Sequence, residues 1–167
     1  MTSQNIKLNI VCAIYPNANG FGFVNLDNEG ELIYYGSVRI SPISNRKILE
    51  RIKKSLDYFQ PRIVILFDPE SKSSRTGNRT KKLLKKITDY AESENLPVVK
   101  YSRDQIRDVF EIRGAFTKYE ISKFLLTKFP ELEPKRPRER KKWESEDRNM
   151  VIFDALSLAL TWFWLNE

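Results

Sequence analysis

Residues 10–26 read IVCAIYPNANGFGFVNL, two extended apolar runs either side of the turn Asn17-Ala18-Asn19-Gly20. The first run belongs to Lys7–Tyr15, KLNIVCAIY, which is apolar on successive residues rather than alternate ones. That pattern predicts a strand buried on both faces, ended by Pro16. Asn and Gly in the short gap supply the backbone conformations of a hairpin turn, so the second run folds back antiparallel. A second turn, Asp27-Asn28-Glu29-Gly30, leads into Glu31–Ile40, ELIYYGSVRI. The chain therefore opens as a three-stranded meander.

Downstream the periodicity changes. Ser44 is a candidate N-cap, and Ile48, Ile52, Leu56 and Phe59 step along one helical face before Pro61. Arg62–Asp68, RIVILFD, is a second buried strand with Asp68, Pro69 and Glu70 at its carboxyl end. A helix is predicted over Thr80–Ser93 and a short strand over Pro97–Tyr101. Ser102 and Gln105 form a capping-box pair before Asp104–Phe110, and Gly114 breaks the chain. Thr117 and Glu120 make a second such pair at the head of a helix from Lys118 to Phe129. Pro130, Pro134 and Pro137 mark residues 130–143 as an exposed basic loop. Asp147–Leu165 is a last helix, apolar around most of its circumference and hence central. A meander followed by alternating strands and helices implies one α/β domain over residues 1–167. Its sheet is mixed and five-stranded, three antiparallel strands plus two parallel ones, with helices on both faces.

Composition limits the chemistry. Among 167 residues there is no histidine and one cysteine, Cys12. Imidazole bases, His-ligated metals, Cys-x-x-Cys knuckles and intrachain disulfides are thereby excluded. Cys12 sits within an apolar strand and reads as a small buried hydrophobe. The net charge of +7 is unevenly spread: residues 71–86 carry seven cations and no acid, and 135–142 carry six cations and one acid. Concentrated positive charge is the footprint of a polyanion. Nucleic-acid contact is expected from Arg75, Arg79, Lys81, Lys82, Lys135, Arg136, Arg138, Arg140, Lys141 and Lys142. No apolar run reaches the ~20 residues of a membrane span, and no signal-peptide pattern opens the chain, so a cytoplasmic location is expected.

Three segments resemble the RuvC-like Holliday-junction resolvases of the RNase H-like superfamily: IVCAIYPNANGFGFVNL, YSRDQIRDVFEIRGAFTKYEISKFL and the terminal-helix stretch DALSLAL. Their order and spacing span nearly the whole chain. The resemblance implies the RNase H-like fold and hydrolysis of phosphodiesters by two Mg²⁺ or Mn²⁺ ions roughly 4 Å apart. In that family the ions are held by carboxylates, one from the first strand, one from the fourth strand and two from the last helix. It also implies branched DNA as partner, a role in DNA recombination, and a homodimer that matches the two-fold symmetry of a four-way junction.

Carried over residue by residue, the family's first-strand Asp falls on Tyr15, and a phenol ionising at about 10 is a poor magnesium ligand. Asp68 is the candidate fourth-strand acid, with Glu70 beside it. Asp154 matches the second acid of the last helix, but the first falls on Val151. Glu146 or Asp147 replaces it if the helix begins a turn early, and Asp147 and Asp154 would then share a helix face. Lys118 lies on the helix that faces the junction in the family, and so is a candidate DNA contact. Each residue also has an ordinary structural reading: Tyr15 as a core aromatic, Asp154 in an ion pair, Asp68 and Glu70 as turn residues, Asp147 as a first-turn helix charge. The expectation is a protein that binds branched or structured nucleic acid with weak or lost nuclease activity. The alternatives are an active endonuclease with a rearranged carboxylate set, its metal on Asp68 and Asp154, and an interaction or assembly module without DNA function.

Overall fold

The computed structural model describes residues 9–70 and 76–166. Its strands are β1 (Val11–Asn17), β2 (Gly20–Leu26), β3 (Leu32–Arg39), β4 (Ile63–Phe67) and β5 (Val98–Tyr101). They form one five-stranded sheet in the order β3-β2-β1-β4-β5. The meander pairs antiparallel, Ile14 opposite Phe23 and Val24 opposite Tyr35. β4 lies parallel to β1, with Cys12 opposite Val64, and β5 lies parallel to β4.

Because side chains alternate along a strand, β1 and β4 feed two cores. Cys12, Ile14, Val64 and Leu66 pack under α1 (Asn45–Phe59) and α2 (Asn78–Ser93). Val11, Ala13, Ile63 and Ile65 face α3 (Arg103–Glu111), α4 (Lys118–Lys128) and α5 (Met150–Leu165). α5 is buried continuously from Met150 to Thr161, as its all-round apolar sequence requires. Gly22 of β2 allows it to sit so close: a methyl group there would lie 2.4 Å from the Val151 carbonyl oxygen.

Four details differ from the sequence reading. β1 continues through Pro16 to Asn17, because its pairing with β4 ends at Ala13 and the missing N–H falls on an open flank. The cap at Ser102 is a full capping box, whereas at Thr117 only the hydroxyl half forms, accepting from the Glu120 N–H. Residues 130–143 are not all loop. Pro130–Lys135 is a 3-10 helix that buries Leu132, and Pro137 is buried as well. α5 starts at Met150 rather than Asp147. The Asp147 carboxylate instead closes a turn, accepting the Asn149 N–H at 2.9 Å and the Arg138 N–H at 3.1 Å.

Candidate nucleic-acid cleft

The carboxyl ends of β1 and β4 open at the same edge of the sheet, where open α/β folds place their ligands. Tyr15 stands at the end of β1 with its ring 4.6 Å from that of Phe67 on β4. α4 brings Lys118, its first residue, to this edge, and α5 brings Asp154.

The three meet in one charged knot. The Lys118 ammonium donates to Asp154 Oδ2 at 3.1 Å and to both carboxylate oxygens of Glu146 at 3.1 Å. It also lies 5.8 Å from the centre of the Tyr15 ring. Asp154 is buried, and burial raises its carboxyl from the ordinary 3.8 to about 6; Lys118 opposes that rise and Glu146 adds to it. Burial and the neighbouring Asp154 push the Tyr15 phenol up to about 12, so it stays neutral at physiological pH. Burial also works to lower Lys118, but Asp154, Tyr15 and Glu146 outweigh it and hold the ammonium above the usual lysine range. Lys118 is therefore a fixed cation inside the site, not a free side chain offered to a ligand.

Two cavities flank the knot. One, of about 280 Å³, runs between α3, α4 and α5 and is lined by Tyr15, Ile106, Phe116, Phe153, Asp154 and Ser157 among others. The other, of about 480 Å³, lies over the strand ends and holds Asp68, Phe67, Asn17 and Arg79. Tyr15, Arg103, Ile106 and Lys118 are walls of both, so the two form one trough.

Of the candidate metal ligands only Asp154 and Glu146 come together, and the Lys118 ammonium occupies the space between them. Asp68 accepts the Glu70 N–H at 2.9 Å in a tight turn and lies in the larger cavity, while Asp154 lies in the smaller. Glu70 is exposed and Asp147 is engaged by backbone. Val151 lines a third cavity with Glu146 and Arg39. Among the described residues no three acids converge as a metal cluster. The chemistry of the donors agrees. The buried carboxylate is already neutralised by an ammonium, the neighbouring strand offers a neutral phenol, and Mg²⁺ asks for several hard oxygens. The site does not fit the two-ion centre implied by the resemblance.

The basic residues also divide. Arg79 is a structural clamp, donating to the Asn17 carbonyl at 2.7 Å and to Asn45 Oδ1 at 2.6 Å, and so ties α2 to β1 and α1. Arg136 pairs with Glu133, and Arg138 lies 3.5 Å from Glu144. Lys82, Lys135, Arg140, Lys141 and Lys142 are exposed, and Lys81 is partly so. Arg75 lies outside the described residues. Sequence reasoning missed Arg103, Arg107 and Phe116 on the trough. The available signal was Ser102, whose cap starts a helix at the carboxyl end of a parallel strand.

No family model matches the sequence, and no curated protein sequence is significantly similar to it. Solved structures are similar. A Thermus thermophilus RuvC structure is 20% identical, with a TM-score of 0.65 over 91% of this chain and 92% of that one. The T. thermophilus RuvC in complex with a Holliday junction substrate gives 20% identity and a TM-score of 0.63 over 91% and 90%. The mixed sheet, its strand order and these matches together establish that the protein has a RuvC-like fold of the RNase H-like class.

Proposed function

We propose that the protein binds branched or otherwise structured DNA at this trough and cleaves it weakly or not at all. One observation carries the reading: the Lys118 ammonium sits between Asp154 and Glu146, 3.1 Å from each, where the resemblance would have a divalent cation. A permanent organic cation offsets part of the carboxylate charge that would otherwise repel a phosphate backbone. It cannot activate water as a metal ion does. Arg103 on the trough and the exposed Lys135, Arg140 and Lys142 after α4 support the same reading. So does the likeness to a fold solved with a Holliday junction bound. A homodimer would present two such troughs to the two-fold symmetry of a junction.

The test is a synthetic four-way junction, examined for cleavage with Mg²⁺ or Mn²⁺ and for a gel shift beside linear duplex. The expected result is a junction-preferring shift without turnover. If about six phosphates are contacted, affinity falls roughly 10³-fold between 50 and 200 mM salt. Metal-dependent nicking would promote the active endonuclease instead. No shift with any nucleic acid at low salt would leave the assembly-module reading.

A further inference from the structure

We infer that the cavity between α3, α4 and α5 receives a single unstacked nucleobase, its phosphate held by Arg103. The inference rests on the DNA-binding reading above and names what the smaller half of the trough recognises.

The dimensions and lining suit one planar ring system. At about 280 Å³ the cavity falls just below the roughly 300–1,000 Å³ of pockets for drug-sized ligands. Its sides are Tyr15, Ile106, Ile121 and Phe153. Phe116 stands on the rim with 58% of its surface exposed and makes no ring contact among the described residues. A solvent-exposed phenyl beside an apolar slot is what a base needs to stack on when it leaves its neighbours. Arg103 supplies the second half. Its guanidinium makes no salt bridge or hydrogen bond among the described residues, yet it walls both cavities. An unpaired cation between an apolar slot and an open trough fits a nucleotide whose base turns in while its backbone passes over.

The polar groups inside give a direction of preference. Asp154 lines the slot and meets Lys118 through Oδ2. The Ser157 hydroxyl donates to the Asp154 carbonyl at 2.6 Å, leaving its oxygen as an acceptor. The slot thus sets the acceptors of Asp154 and Ser157 beside the cationic donors Arg103 and Lys118. Guanine presents adjacent ring and exocyclic N–H donors that a carboxylate can accept as a pair, and a carbonyl for a cation, whereas thymine offers a single N–H flanked by two carbonyls. The pocket is expected to favour guanine over thymine.

The experiment uses the full chain and a DNA duplex with one unpaired 2-aminopurine, a fluorescent base bearing an exocyclic amine. Binding, followed by gel shift, is expected to raise its emission severalfold as the base leaves the stack. Phe116→Ala, at an exposed position, should abolish the rise and weaken binding about tenfold. Phe116→Tyr should retain both. GMP should compete at lower concentration than TMP, and Asp154→Asn should erase that difference. A gel shift with unchanged emission and a silent Phe116→Ala, or equal competition by GMP and TMP, would overturn the pocket while DNA binding stands. Absence of any gel shift would remove both readings together.

Discussion

Asp154 shows how burial and pairing oppose each other at a single side chain. Its carboxyl is raised from 3.8 to about 6, so the folded state holds a proton that the unfolded chain has already released. The sign follows from linkage: stability from this group is greatest below pH 3.8 and is lost as pH rises through about 6. The expected outcome is a melting temperature that falls with pH across this window in the wild type relative to Asp154→Asn, read by calorimetry. Asn25 on β2 is a second residue out of balance. It is buried, paired in register with Cys12 and Tyr34, and neither its Oδ1 nor its Nδ2 has a hydrogen-bond partner. An orphaned buried amide costs roughly 1–3 kcal/mol, so Asn25→Leu should stabilise the fold by up to about that amount in denaturant titration. Of the site residues, Asp154 was legible because an acid inside an apolar helical run stands out. The contact between Lys118 and Glu146 was not, since it joins residues 28 positions apart across a turn with no pattern of its own.

At the scale of elements, β2 and α5 depend on one glycine. Ala at position 22 would drive a methyl group to within 2.4 Å of a backbone oxygen, which no rotamer change can relieve. Gly22→Ala should therefore cost about 3 kcal/mol by chemical denaturation. Because α5 carries Asp154, the same change should loosen the Lys118 ion pair. The elements themselves were readable. Caps at Ser44, Ser102 and Thr117 fall where the sequence places them, and the unbroken apolar run of β1 is buried on both faces. The start of α5 was not readable. Ser145–Arg148 is polar enough to begin a helix, and the Asp147 side chain decides against it by capping the turn from outside. That turn, in place of a helix, is what carries Glu146 to Lys118 rather than onto the face of Asp154.

For the whole molecule the charge is more divided than its sequence suggests. Arg79, Arg136 and Arg138 are engaged within the protein, so on the DNA-binding proposal a polyanion would meet Arg103 on the trough and four exposed residues after α4, Lys135, Arg140, Lys141 and Lys142. Replacing those four by Ser should lower the salt slope of DNA binding by about 3–4, near the ~0.9 expected per lost phosphate contact. Stability should stay within about 0.5 kcal/mol, because exposed positions away from the cores contribute little. The sheet has a consequence of a different kind. β1 and β4 serve both cores at once, while β3 is an edge strand with no fully buried residue. Neither core can open without stripping the central strands of one buried face. In deuterium exchange, the amides of Val11–Ile14 and Ile63–Leu66 should trade hydrogen only when the entire domain unfolds, and those of β3 well before. The middle of the sheet would be the last thing to come apart, and the two helical layers would melt as one.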